Sequence, residues 1–82
     1  MNTDFYGIFT EDGLDQVTTD HDEAMKEARN LRAMGYKVTL LVRPVEGQLY
    51  EIAAIQRDEN VSASVAGRRY IKRAISAGKA LI

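Results

Sequence analysis

Apolar and polar positions change their period several times along this chain, and each change marks an element. Phe5-Tyr6-Gly7-Ile8-Phe9-Thr10 is dense in aromatic and β-branched residues and reads as a strand. Glu11-Asp12-Gly13 follows it, and Asp-Gly predicts a hairpin because glycine tolerates positive φ. The return strand runs from Leu14 to Thr18. Beyond it the spacing becomes helical, with Ala24, Ala28 and Leu31 on one face and Met25 and Met34 on its margins. Asp20 stands three residues before Glu23, the spacing of a capping box, so each carboxylate can accept an otherwise unpaired backbone N–H. Gly35 occupies the left-handed position that closes a helix. The pattern predicts a helix over 21–34.

Tyr36 to Arg43 alternates Val38, Leu40 and Val42 against Thr39 and Leu41, a strand that Pro44 ends because proline cannot donate to a ladder. Pro44-Val45-Glu46-Gly47-Gln48 reads as a hairpin loop returning into a further strand, Leu49 to Ile55. Apolar residues lie on both faces of this second pair, which places it at the centre of the sheet or where the sheet is covered on both sides. Arg57-Asp58-Glu59-Asn60 breaks the run. A last helix then starts between Val61 and Val65, with Ser62 and Ser64 as candidate caps. The predicted order is ββαββα: an α+β, two-layer domain spanning 1–82, with two helices packed on one face of a four-stranded, mostly antiparallel sheet. A hairpin, an alanine-rich helix and a strand form a common supersecondary pattern, so this order carries no function with it.

Composition narrows the picture. The chain has 82 residues and no cysteine, which removes disulfide frameworks, thiolate metal sites and thiol nucleophiles. A core of this size is marginal on its own and gains from a partner. Met1 to Tyr6 shows neither the basic nor the apolar region of a signal peptide, and no apolar run approaches the roughly 20 residues of a membrane span. The expected setting is the cytoplasm, without membrane contact.

Few catalytic parts are present. His21 lies in Asp20-His21-Asp22-Glu23, but adjacent helical residues diverge and no second histidine exists to share a metal ion. Glu11, Asp12 and Asp15 surround Gly13 without the spacing of a calcium loop, so they read as an ordinary turn. Ser62, Ser64 and Ser76 would each need the single histidine as base. No Gly-rich phosphate loop occurs. The sequence therefore predicts no enzyme activity, no metal and no cofactor.

Charge is what remains. The net charge of −1 conceals an uneven distribution, with seven acidic and no basic residues over 1–25, and five basic and no acidic residues over 60–82. A helical wheel of the last segment gathers Gly67, Tyr70, Ile71, Ala74, Ile75, Gly78 and Ile82 on one side, and Arg68, Arg69, Lys72, Arg73 and Lys79 on the other. Gly67, Ala74 and Gly78 form a small-residue stripe that permits close packing, either on the chain's own sheet or across a homodimer. The basic arc predicts a docking face for a larger partner, expected to be a protein, with the chain as a small regulator or inhibitor. The alternative is a nucleic-acid-binding accessory protein that uses the same face, although no aromatic residues interleave the cations. Both readings depend on the acidic and basic ends lying on different surfaces.

Overall fold

Asp12-Gly13 turns the chain as its sequence demands: Gly13 adopts a φ of 130°, joining β1 (Phe5–Thr10) to β2 (Gly13–Thr18). The computed structural model, which describes residues 3–78, continues with α1 (His21–Ala33), β3 (Thr39–Arg43), α2 (Glu46–Glu59) and α3 (Ala63–Ser76). The three strands are ordered β2-β1-β3, and both outer strands run antiparallel to β1. Tyr6 faces Thr18 on one side and Val42 on the other. The β1–β2 register slips between Ile8 and Phe9, so Asp15 is the extra residue of a bulge on an edge strand.

Strand alternation divides β1 between two cores. Ile8 packs with Ala24 and Leu31 of α1, joined by Tyr6, Val38 and Leu40. Phe9 points the opposite way, into Leu49 and Ile52 of α2 and Ala63, Ala66 and Tyr70 of α3, with Phe5, Val17 and Leu41 beside it. The expected α+β class and antiparallel sheet are present, but the two helices expected to share one face, α1 and α3, lie on opposite faces, and it is α2 that joins α3. The expected two layers become three, because α1 covers the other face. Phe9, Ile8, Leu49 and Ile52 are fully buried, and each contributes about 1.5–3 kcal/mol by leaving water.

The fifth element differs from the sequence reading. Leu49 to Ile55, expected as a strand, lies inside α2, so the sheet has three strands and the order is ββαβαα. The buried stripe of α2 is Gln48, Leu49, Ile52 and Gln56, a helical spacing disguised because two of its four members are polar. Its start is also unmarked: the N-cap is Val45, which makes no side-chain cap bond. At the other end Asn60 closes α2 in the left-handed conformation, φ 52° and ψ 51°. Gly7 makes room for this helix on β1, since a Cβ there would stand 2.8 Å from Leu49 Cδ2.

The other two helix starts follow the sequence closely. Asp20 Oδ1 accepts from the Asp22 and Glu23 amides at 2.9 and 3.2 Å. The reciprocal half of the box is replaced: Thr18 Oγ1 takes the Asp20 N–H, and Glu23 instead accepts from Gln16 Nε2 at 2.9 Å, tying α1 to β2. Gly35 (φ 96°) ends α1, with its N–H on the Arg32 carbonyl and the Tyr36 N–H on that of Leu31, the paired bonds of a Schellman motif. That motif delays β3, which begins at Thr39 rather than Tyr36 and ends before Pro44. Ser62 caps α3, its Oγ accepting from the Val65 amide. Lys79 and Ile82 lie outside the described residues.

Candidate functional site

The face of α3 that turns from the sheet carries Arg68, Arg69, Lys72 and Arg73, all exposed, while Ala63, Ala66, Gly67, Tyr70 and Ala74 are buried beneath them. The four cations divide into two pairs. Arg69 and Arg73 lean toward α2 and both bind the Glu59 carboxylate, Arg69 through Nη1 to Oε1 and Arg73 through Nη2 to Oε2, the latter at 2.5 Å. The Arg73 bond first, and Arg69 with it, hold the Glu59 carboxyl below the usual glutamate range. The clamp joins the last turn of α2 to α3 across the loop that Asn60 opens. Arg68 and Lys72 form no ion pair with any described residue.

Next to this face, α2 and α3 leave a groove of about 300 Å³ floored by Ala54, Ile55, Ala74 and Ala77, with Glu51 and Arg73 on its rim. Tyr70 borders it. Burial first, and then the Glu51 carboxylate beside the hydroxyl, push the Tyr70 phenol upward in pKa. Ile75, on the solvent side of the same helix, is 64% exposed. A cationic surface with an adjoining apolar groove is thus displayed on one helix pair.

The small-residue stripe does not form such a surface. Gly67 and Ala74 are buried within the chain's own fold, where a Cβ on Gly67 would lie 3.4 Å from Leu41 Cδ1, an ordinary contact. Gly78 lies beyond the end of α3 in a left-handed turn (φ 70°) with open space around it. It terminates the helix instead of packing against a neighbour, which corrects its place in the close-packing set. The wheel misplaced it because helical geometry was extended past the residue that ends it.

The acidic end of the chain lies elsewhere. Asp20, Asp22 and Glu23 sit at the start of α1, on the sheet face opposite α3, and Asp15 lies on the outer strand β2. No ion pair among the described residues connects these groups with the α3 cations. Among the described residues the two charge poles therefore remain separate, and Glu59, from the middle of the sequence, is the one carboxylate paired with the basic one.

The other sequence candidates resolve locally. His21 stacks edge-on against Tyr6, with centroids 5.6 Å apart, and its Nδ1 lies 3.4 Å from Asp22 Oδ1. Among the described residues no three His, Cys, Asp or Glu side chains are grouped to hold a metal ion. Ser62 caps α3 and shares a hydroxyl contact with Ser64, across the sheet from His21. Glu11 accepts the Lys37 amide at 3.1 Å, and Thr10 Oγ1 accepts that of Asp12, so the acidic turn is held by ordinary hydrogen bonds. Sequence reasoning missed Glu59, which looked like part of a loop. Its position ten residues before Arg69 carries no signal until α2 is recognised as a helix. No helix among the described residues is long and apolar enough to cross a membrane. The chain matches no protein-family model, no curated protein and no solved structure.

Proposed function

We propose that this chain is a non-enzymatic protein-interaction module of the cytoplasm, a small regulator or inhibitor that docks on a larger, acidic protein surface through α3. The observation that carries the reading is the pair Arg68 and Lys72, exposed and without an ion pair among the described residues, on a helix whose charge the described part of the chain's acidic end does not reach. Unneutralised cations on one face raise the local concentration of anionic partners and orient their approach. The Glu59 clamp gives Arg69 and Arg73 a fixed geometry, and the groove between α2 and α3 offers a seat for an apolar side chain, the usual centre of a docking patch. Position on opposite sides of the sheet keeps His21 away from every candidate serine on α3, which supports a binding role over hydrolysis.

Fluorescence anisotropy with labelled oligoglutamate and a labelled DNA duplex tests this directly. The proposal expects oligoglutamate to bind at low salt and Arg68→Glu/Lys72→Glu to abolish binding while the helical signal is retained. Oligoglutamate binding that the double variant leaves intact refutes it. Duplex binding with a log–log salt slope of about −2, the value for two unpaired cations at phosphates, would move the assignment to nucleic acid.

A further inference from the structure

The two outer strands of the sheet are finished differently. β2 carries the bulge at Asp15, an exposed carboxylate, and its Gln16 and Thr18 side chains are tied to Glu23. Bulges and outward charges are devices that stop an edge from pairing with another chain. β3 has an unbroken register with β1 from Phe5–Arg43 to Phe9–Thr39, and no bulge. The two-residue turn closes on the Thr10–Gly13 pair, so the even-numbered residues of β1 bond to β2 and the odd-numbered ones to β3. The Val42 carbonyl, opposite Tyr6, therefore points away from β1 and takes Arg43 Nη1 at 2.7 Å. By the alternation of antiparallel ladders, the N–H and C=O groups of Leu40 and Val42 face outward together. Val42 is itself 38% exposed.

The edge also has a distinct charge. Arg43 forms no ion pair with any described residue, and its guanidinium lies where a Cβ on Gly67 would touch Nη2 at 3.6 Å, against the turn of α3 that bears Arg68. Arg43 and Glu51 act in opposite senses on the Tyr70 hydroxyl, with which the Glu51 carboxylate is engaged. At the opposite end, Glu11 takes the Lys37 amide and leaves the Lys37 side chain exposed. An open row of backbone donors and acceptors thus ends at an unneutralised guanidinium.

We infer that the outer edge of β3 is a second docking surface, which takes an extended acidic peptide of a partner protein as a fourth strand. Backbone bonds to Leu40 and Val42 supply the affinity, as in strand addition generally. Arg43 supplies the selectivity: a peptide N–H replaces its guanidinium on the Val42 carbonyl, and the freed guanidinium pairs with a peptide carboxylate. Alternate peptide residues lie beside Val42 and Leu40 on one sheet face and beside Arg43 and Leu41 on the other, so the fitting sequence alternates apolar with acidic side chains. This surface shares no residue with the Arg68 and Lys72 face, and each stands or falls without the other.

The test uses the full chain, isotopically labelled, with a capped octapeptide alternating valine and glutamate and a control with lysine for glutamate. The glutamate peptide should slow amide exchange at Leu40 and Val42 and shift their resonances, and Arg68→Glu/Lys72→Glu should leave this unchanged. Val42→Pro removes an outward N–H without touching the β1 ladder and should weaken binding about tenfold, the value of a lost hydrogen bond or two. Arg43→Glu should reverse the preference toward the lysine peptide, and a retained circular dichroism spectrum shows that both variants fold. Equal binding of the two peptides, or no protection at Leu40 and Val42 with either, overturns the inference. Protection that grows with protein concentration in the absence of peptide also overturns it, because the occupant is then a second copy.

Discussion

Gly7 sits at the centre of the middle strand, and the account predicts that the smallest possible side chain there is harmful. In Gly7→Ala the new Cβ would lie 2.8 Å from Leu49 Cδ2 and 3.0 Å from Phe9 Cε1, whereas carbon atoms pack comfortably at about 3.5–4.0 Å. Neither neighbour has solvent to move into, since Leu49 and Phe9 are both fully buried. Overpacking of this kind costs about 1–3 kcal/mol. Replacing glycine in a strand returns about 0.5–1 kcal/mol of backbone entropy. The net loss therefore centres on about 1 kcal/mol and reaches at most about 2.5 kcal/mol, a sizeable share of the roughly 4–12 kcal/mol typical of a chain this long. For a domain of this size it lowers Tm by about 5–15 °C. Urea and thermal unfolding followed by circular dichroism measure it. Leu49→Val withdraws the offending methyl groups, so Gly7→Ala should cost less in that background than alone. If Gly7→Ala is as stable as the wild type, or if the two changes are additive, Leu49 does not rest on Gly7 and the placement of α2 on β1 is wrong.

Gly67→Ala should behave oppositely: its Cβ meets Leu41 and Arg43 only at ordinary contact distances of 3.4 and 3.6 Å, so the helix-propensity gain brings stability to between the wild-type value and about 1 kcal/mol above it, as the same unfolding titration would show. Glu59→Gln tests the clamp through pH. Because the folded carboxyl titrates below its ordinary range, the clamp's contribution is fully present above that range and is lost as pH falls through the folded value. The stability difference between wild type and Glu59→Gln should therefore be constant at neutral pH and shrink on acidification, and a difference that grows in acid contradicts the assignment. Tyr70→Phe should relieve a loss of stability above the ordinary tyrosine range, since the raised Tyr70 pKa makes ionisation more costly in the folded chain; equal alkaline unfolding of the two proteins would refute this.

Elements with a local signature were legible in the sequence. Asp12-Gly13, Asp20 with its carboxylate neighbours, Gly35 and Ser62 all act where their chemistry places them. The helix α2 was illegible because three signals are absent together: it has an uncapped start at Val45, a glycine in its first turn, and Gln48 and Gln56 in its buried stripe. Gln56 is buried for a reason that only tertiary structure reveals, since its Nε2 donates to the Thr10 carbonyl at 2.8 Å across forty-six residues. The candidate site was half legible. Helical periodicity predicted the exposed cations of α3, but not which of them would be engaged, because the Glu59 carboxylate reaches them from an element that periodicity had assigned to the sheet.

That distinction between engaged and unengaged cations is the centre of the functional account, and site-directed photo-crosslinking tests it most directly. A photoreactive residue at position 76, exposed one turn beyond Lys72, and separately at position 15, would be placed in the chain within the cells that produce it. The account predicts a discrete covalent adduct with an acidic protein from position 76, lost on Arg68→Glu/Lys72→Glu, with no corresponding adduct from position 15. An adduct from position 76 that survives the double substitution would show that these cations do not hold the partner, and none from that position at all would show that α3 presents only a solvated face.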